Sequence, residues 1–172
     1  MAAVVADVEE ARTRTAAWTF ETRGFEALEP GLRRIYRRGR RAMRRAQADP
    51  TDENLHEWRK RVKDLWHAEQ IMGRAAPKKV KKLAKRTHAL SDLLGGDHDL
   101  AELGLYVGRH RDSFEDRVAQ VAHSAVINRR RNELKRQAFA LGPKLYRRSP
   151  KRFVQAIERG WRNRAGPPAP AV

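Results

Sequence analysis

Two stretches, Gly31-Leu32-Arg33-Arg34-Ile35-Tyr36-Arg37-Arg38-Gly39-Arg40-Arg41-Ala42-Met43-Arg44-Arg45-Ala46 and Leu55-His56-Glu57-Trp58-Arg59-Lys60-Arg61-Val62-Lys63-Asp64-Leu65, decide how the chain is read. Placed on a helix at 100° per residue, Leu55, Trp58, Val62, Leu65 and Met72 fall within one arc of about 100°. Arg59, Lys63, His56, Arg74, His67 and Lys60 fill the arc beside it. In the first stretch Leu32, Ile35, Tyr36, Gly39, Met43 and Ala46 share the apolar side. Arg33, Arg37, Arg40 and Arg44 form one row, and Arg34, Arg38, Arg41 and Arg45 a second farther round. An apolar seam with a basic stripe alongside is the pattern of a core-packed helix that presents cations to a polyanion.

Working outward, the spacing predicts helices throughout. The first basic helix spans Phe25 to Ala48 and stops at Asp49-Pro50, because a residue before proline is pushed out of the helical region. Thr51 or Asp52 caps the next, which runs to about Arg74. Pro77 suits the first turn of a third helix ending at Gly95-Gly96, and Asp97 opens a fourth to about Val107. Gly108 and the polar run to Asp112 predict a bend. A fifth helix is expected from Ser113 to about Leu141, closed by Gly142-Pro143, and Ser149-Pro150 opens a short last one to Trp161. No segment alternates as a strand does. The expected fold class is all-α, an up-down bundle of about five to six helices with a basic groove. An Ala-rich segment covers residues 1–24, the bundle residues 25–162, and a disordered tail residues 163–172.

The 172 residues carry a formal net charge of +17, and residues 31–94 hold 19 Lys and Arg against 7 Asp and Glu. Such asymmetry calls for an anionic partner: nucleic acid, a phosphorylated polymer or an acidic membrane surface. Cysteine is absent, which excludes disulfides, thiolate metal sites and thiol nucleophiles. The apolar runs are far shorter than the roughly 20 residues of a membrane span. The N-terminal residues meet acids without a basic lead, unlike a secretion signal, and the expectation is a cytoplasmic protein.

A merely solvated basic face would interleave glutamates four residues before its cations. None stands between Arg33 and Arg45, and like charges at i, i+4 repel by a few tenths of a kcal/mol per pair. That cost points to an external anion. His56, between the apolar and basic arcs, has two readings, a packing residue or a donor to a phosphate oxygen.

The string Leu55 to Leu65 resembles the histidine-centred helix of the CHAD family, the conserved histidine α-helical domain. Leu93-Leu94-Gly95-Gly96-Asp97-His98-Asp99-Leu100 is similar to its second signature, and Tyr36-Arg37-Arg38-Gly39-Arg40-Arg41 to its arginine-rich lead-in. The resemblance covers roughly residues 30 to 110. It implies an all-helical domain that binds inorganic polyphosphate without catalysis or cofactor, through His56, Arg59, Lys60 and Lys63 with Arg37, Arg40 and Arg41. The rows add Arg33 and Arg44. Family members usually carry two such units around a central pore; the histidine motif occurs once here and looks like the C-terminal half. The chain is therefore either a fragment, a reduced member or a protomer that pairs as a homodimer to rebuild the groove, and association with polyphosphate granules is a further expectation. Trp66 and His67 stand where the family commonly has an arginine and an aromatic residue. No Glu-x-Glu-x-Lys run of a triphosphate-tunnel enzyme is present.

Two other functions fit parts of the pattern. The same rows would meet the backbone of nucleic acid, with Trp66 as the one platform for stacking a base. A metal phosphohydrolase would draw on His98-Asp99 with His67, His88 and Asp112 or Asp116. Against the latter, Asp97 and Asp99 are explained by capping and dipole interactions at a helix start, with Asp99 pairing an arginine of a neighbouring helix. The reading adopted is non-enzymatic, with no metal and no cofactor.

Overall fold

The computed structural model describes residues 2–19, 22, 24–73, 78–110 and 117–165. Six helices follow in order: α1 (Ala2–Ala16), α2 (Phe25–Ala48), α3 (Asp52–Gly73), α4 (Lys78–Arg109), α5 (Arg117–Leu145) and α6 (Pro150–Ala165). Among the described residues there is no strand, and the fold is an all-α bundle. The chain divides into two compact units, Met1–Pro30 and Gly31–Val172. In the first, α1 is held by local pairs such as Arg14–Glu10 at 3.3 Å and leaves Val4, Val5 and Val8 exposed.

Within the second unit α4 is the central helix, with α3 along one side and α5 along another. Both neighbours run antiparallel to it. His56 meets His98 and Trp66 meets His88 across the first interface, and Arg131 meets Asp97 across the second. The α3 seam forms as its periodicity predicts: Leu55, Trp58, Val62, Leu65 and Met72 are all buried. So are Leu32, Tyr36, Met43 and Ala46 of α2. Tyr36 is fully enclosed: its ring stacks on Phe153 at 3.8 Å, and its hydroxyl donates toward the carbonyls of Leu145 (3.1 Å) and Arg148 (3.3 Å). This single side chain ties α2 to the α5–α6 turn.

The helix stops are right where chain chemistry alone sets them. Asp49-Pro50 ends α2 at Ala48, and Thr51 Oγ1 accepts from the Asn54 amide at 3.3 Å to cap α3. Ser149 Oγ accepts from the Arg152 amide at 3.3 Å and caps α6, which continues to Ala165 rather than Trp161. Two expected breaks are absent. Gly95-Gly96 does not end a helix, so the expected third and fourth helices are one, α4. Adjacent helical residues point 100° apart, and these two face the two neighbours. A Cβ on Gly95 would lie 3.8 Å from Arg59 Nε of α3, and one on Gly96 3.3 Å from Leu134 Cδ1 of α5. Gly142-Pro143 likewise lies inside α5. A Cβ on Gly142 would come within 2.7 Å of the Trp58 ring and 3.0 Å of Met43 Sδ, so glycine is there for close approach. At Gly96 and Gly142 glycine's smallness decides its place, whereas Gly95 has room for a methyl. The expectations for Arg74, Pro77, Asp112 to Asp116 and most of the 163–172 tail fall outside the described residues.

Candidate anion-binding surface

The roll of α3 about its axis is set by Trp58. Its indole lies parallel to Phe139 of α5, ring centroids 5.6 Å apart, and occupies the space that Gly142 leaves open. With the seam so directed, the two flanks of α3 face different neighbours. One flank carries His56 and Arg59 toward α4: the His56 ring centroid lies 4.8 Å from that of His98, and Arg59 Nε lies over Gly95. The other carries Glu57, Arg61 and Asp64. Arg61 pairs with Glu57 at 3.3 Å and Asp64 at 3.1 Å, and Glu57 also accepts from Lys60 at 2.8 Å. Glu57 has its pKa lowered, first by the Lys60 hydrogen bond and to a smaller extent by cations that include Arg38 of α2.

The α3 residues His56 and Arg59 thus meet α4, whereas Glu57, an acid, lies in electrostatic reach of Arg38 of α2. The trough expected between two basic rows on α2 and α3 is not what these contacts describe. Lys60 belongs to the mixed-charge network. Lys63 is partly buried, and among the described residues no carboxylate pairs with it or with Arg59. On α2, Arg33, Arg37, Arg41 and Arg44 are exposed, and Arg40 is partly covered beside Tyr36.

The His56–Arg59 face has a distinct electrostatic character. Burial lowers the His56 pKa, and the neighbouring His98, Lys60 and Arg59 lower it further. His56 is therefore neutral near pH 7. Its Nδ1 and the Nε of Arg59 are buried and carry no hydrogen-bond partner. Farther along the same interface, Trp66 of α3 and Lys81, Lys85 and His88 of α4 line an open cavity of about 510 Å³. His88 meets Trp66 edge to face at 5.1 Å and donates through Nδ1 to Asp92 Oδ2 at 2.7 Å.

One end of this interface is fastened by charge. Asp97, 3% exposed, accepts from Arg131 Nε at 2.9 Å, and Arg131 also bonds Asp52 at the start of α3. Burial disfavours the Arg131 charge, but the two carboxylates outweigh it and raise the pKa. The arginine pair expected of Asp99 is made by Asp97 instead. Because α4 continues through this point, Asp97 is a mid-helix residue and not a cap.

Lys82, Arg86, Lys144, Arg147 and Arg148 surround a separate cavity of about 260 Å³ over Tyr36. None of these five cations belongs to the rows that periodicity marks on α2 and α3. Their grouping joins α4 to the α5–α6 turn, segments far apart in the chain. The only local signal is Lys144-Leu145-Tyr146-Arg147-Arg148 immediately before the Ser149 cap.

The family model described as CHAD domain matches residues 2–107. The chain belongs to the CHAD family. The CHAD domain is associated with polyphosphate binding, and residues 2–107 take in the arginine-rich α2, the histidine helix α3 and most of α4. No curated protein and no solved structure matches the chain. Among the described residues no helix is long and apolar enough to cross a membrane. No group of three or more His, Cys, Asp or Glu among them is placed to hold a metal ion; Asp112 and Asp116 lie outside that set.

Proposed function

We propose that this CHAD protein binds inorganic polyphosphate without chemical turnover, on the α3–α4 face that carries His56, Arg59 and Lys63, with the exposed α2 arginines extending the basic surface. The observation that carries the reading is Arg59. Its Nε–H is buried without a partner, and the α4 residue facing it is glycine, not an acid. A partly buried guanidinium beside no carboxylate is matched best by an external oxyanion, to which Arg gives forked contacts and Lys and His give point donors. Release of counterions from a polyanion of about one charge per phosphate makes the affinity fall steeply with salt, as for nucleic acids.

The test is a calorimetric titration with long-chain polyphosphate. Arg59→Ala with Lys63→Ala should weaken binding at least tenfold while leaving the helical circular dichroism intact. An unchanged isotherm would place the site elsewhere. RNA added in competition at equal phosphate concentration separates this reading from nucleic-acid binding: displacement at comparable concentration would favour the latter, with Trp66 as its stacking platform. A homodimer is tested by the mass in solution with and without polyphosphate.

A further inference from the structure

The cavity over Tyr36 is a strongly cationic concave feature of the second unit. Five of its lining side chains are cations from α4, the end of α5 and the turn before α6, and no acid lines it. Leu83, Phe153 and Ile157 supply apolar wall, which lowers the local dielectric and strengthens whatever charge interaction takes place there. The turn that offers Arg147 and Arg148 is braced from below by the Tyr36 hydroxyl through the Leu145 and Arg148 carbonyls, and closed by the Ser149 cap. Arg40 of α2 joins Arg147 and Arg148 in acting on that hydroxyl, although burial raises its pKa overall.

A purely structural account of these cations is incomplete. Lys144 in the last turn of α5 is favourably placed for the helix dipole. Yet α4 and α6, which bring Lys82, Arg86 and the Phe153 wall, have no acid in their first turns, where acids are the stabilising choice. The charge distribution therefore favours an anion at the cavity over the helices themselves.

We infer that this cavity is a second phosphate site, distinct from the Arg59 face, which takes the terminal phosphates of an oligophosphate. A volume of about 260 Å³ suits a compact anion and cannot enclose a long chain. Terminal groups differ from internal ones in charge. An internal phosphate carries about one negative charge, whereas a terminal one gains a second ionisation near pH 6, as phosphate monoesters do. A convergence of five cations rewards that density. The ligand is either a free short oligophosphate or the end of a longer chain, and the chain-end case rests on the polyphosphate reading above.

The experiment is calorimetry on the full chain at fixed salt, with linear tripolyphosphate, cyclic trimetaphosphate and long-chain polyphosphate as probes. Tripolyphosphate should bind with one-to-one stoichiometry. Trimetaphosphate, with three phosphates and no termini, should bind at least tenfold more weakly. Arg147→Ala with Arg148→Ala should weaken tripolyphosphate at least tenfold, and Arg59→Ala with Lys63→Ala should leave it within twofold. Arg147 and Arg148 are exposed and Arg59 and Lys63 are half-buried, and an unchanged thermal melt verifies that each variant is folded. Weaker long-chain binding in the Arg147/Arg148 variant identifies chain ends as a ligand; an unchanged value restricts the site to free short oligophosphates. Absent tripolyphosphate binding, equal affinity for the cyclic form, or indifference to Arg147 and Arg148 would each overturn the inference. In any of those cases long-chain binding sensitive to Arg59 and Lys63 would leave the Proposed function standing. Loss of that sensitivity alone would do the reverse.

Discussion

Glu69 lies on the apolar seam of α3 and is 1% exposed, in the company of Leu65 and Met72. Thr87 Oγ1 donates to its Oε1 at 3.1 Å, and its Oε2 is buried without a partner. Burial dominates and pushes its pKa up to about 8, against which the Thr87 hydrogen bond is a smaller opposing influence. The acid is thus held protonated in the folded protein at pH 7. Its folded pKa stands above the unfolded one, so its contribution to stability is fully present below about pH 4.5, declines between there and about pH 8, and is lost above. At 1.36 kcal/mol per unit, that span corresponds to an upper bound of about 5 kcal/mol, a large part of the roughly 5–15 kcal/mol that stabilises a domain. Glu69→Gln retains the shape and the acceptor for Thr87 and removes the ionisation. Urea unfolding of both proteins from pH 4.5 to 9 checks this, because the difference between them cancels every other titration. The two should have similar stability at pH 4.5, and the variant should become more stable by up to about 4 kcal/mol at pH 7.5. Curves that stay parallel across the range would refute the assignment of a buried, protonated Glu69.

Other expectations follow from the same contacts. Because His56 is neutral near pH 7 and an anion favours its protonated form, polyphosphate affinity should rise as pH falls below about 6.5, the ordinary histidine value, and His56→Ala should flatten that dependence in a pH series of titrations. Gly142→Ala forces a methyl against Trp58 and Met43, and thermal melting should show a loss of about 1–3 kcal/mol, the usual cost of overpacking. Arg131→Met removes the hydrogen-bonded partner of the buried Asp97 carboxylate, leaving it only Lys135 Nζ at 4.0 Å, and should cost up to about 3–5 kcal/mol at neutral pH by urea unfolding. The double change Arg131→Met with Asp97→Leu should recover most of it.

Much of the fold is legible in the chain because local chemistry decides it. The end of α2, the start of α3 and the cap of α6 all rest on a proline or a hydroxyl acting within a few residues. The same glycines that read as stops at Gly95-Gly96 and Gly142 are spent on contacts with Arg59, Leu134 and Trp58, which no local pattern discloses. Periodicity identifies the α3 stripe but not which neighbour it faces, since that depends on Trp58 docking against Phe139 some 80 residues on. Glu69 is buried on the apolar seam of that same helix, where no local pattern announces a carboxyl. The Tyr36 cavity draws its cations from two distant segments, so only the folded chain brings them together.

The bond from Tyr36 to the Leu145 carbonyl spans 109 positions, whereas the Glu69–Thr87 contact spans 18. Chain closure grows as 1.5RT times the logarithm of the span, which makes the longer one costlier by about 1.6 kcal/mol. The α3–α4 hairpin is therefore expected to close before the Tyr36 clasp that fastens α2 to the α5–α6 turn. Until that clasp forms, the arginine-laden α2 is fastened at one end only, and a polyanion present during synthesis would encounter it before the bundle is shut.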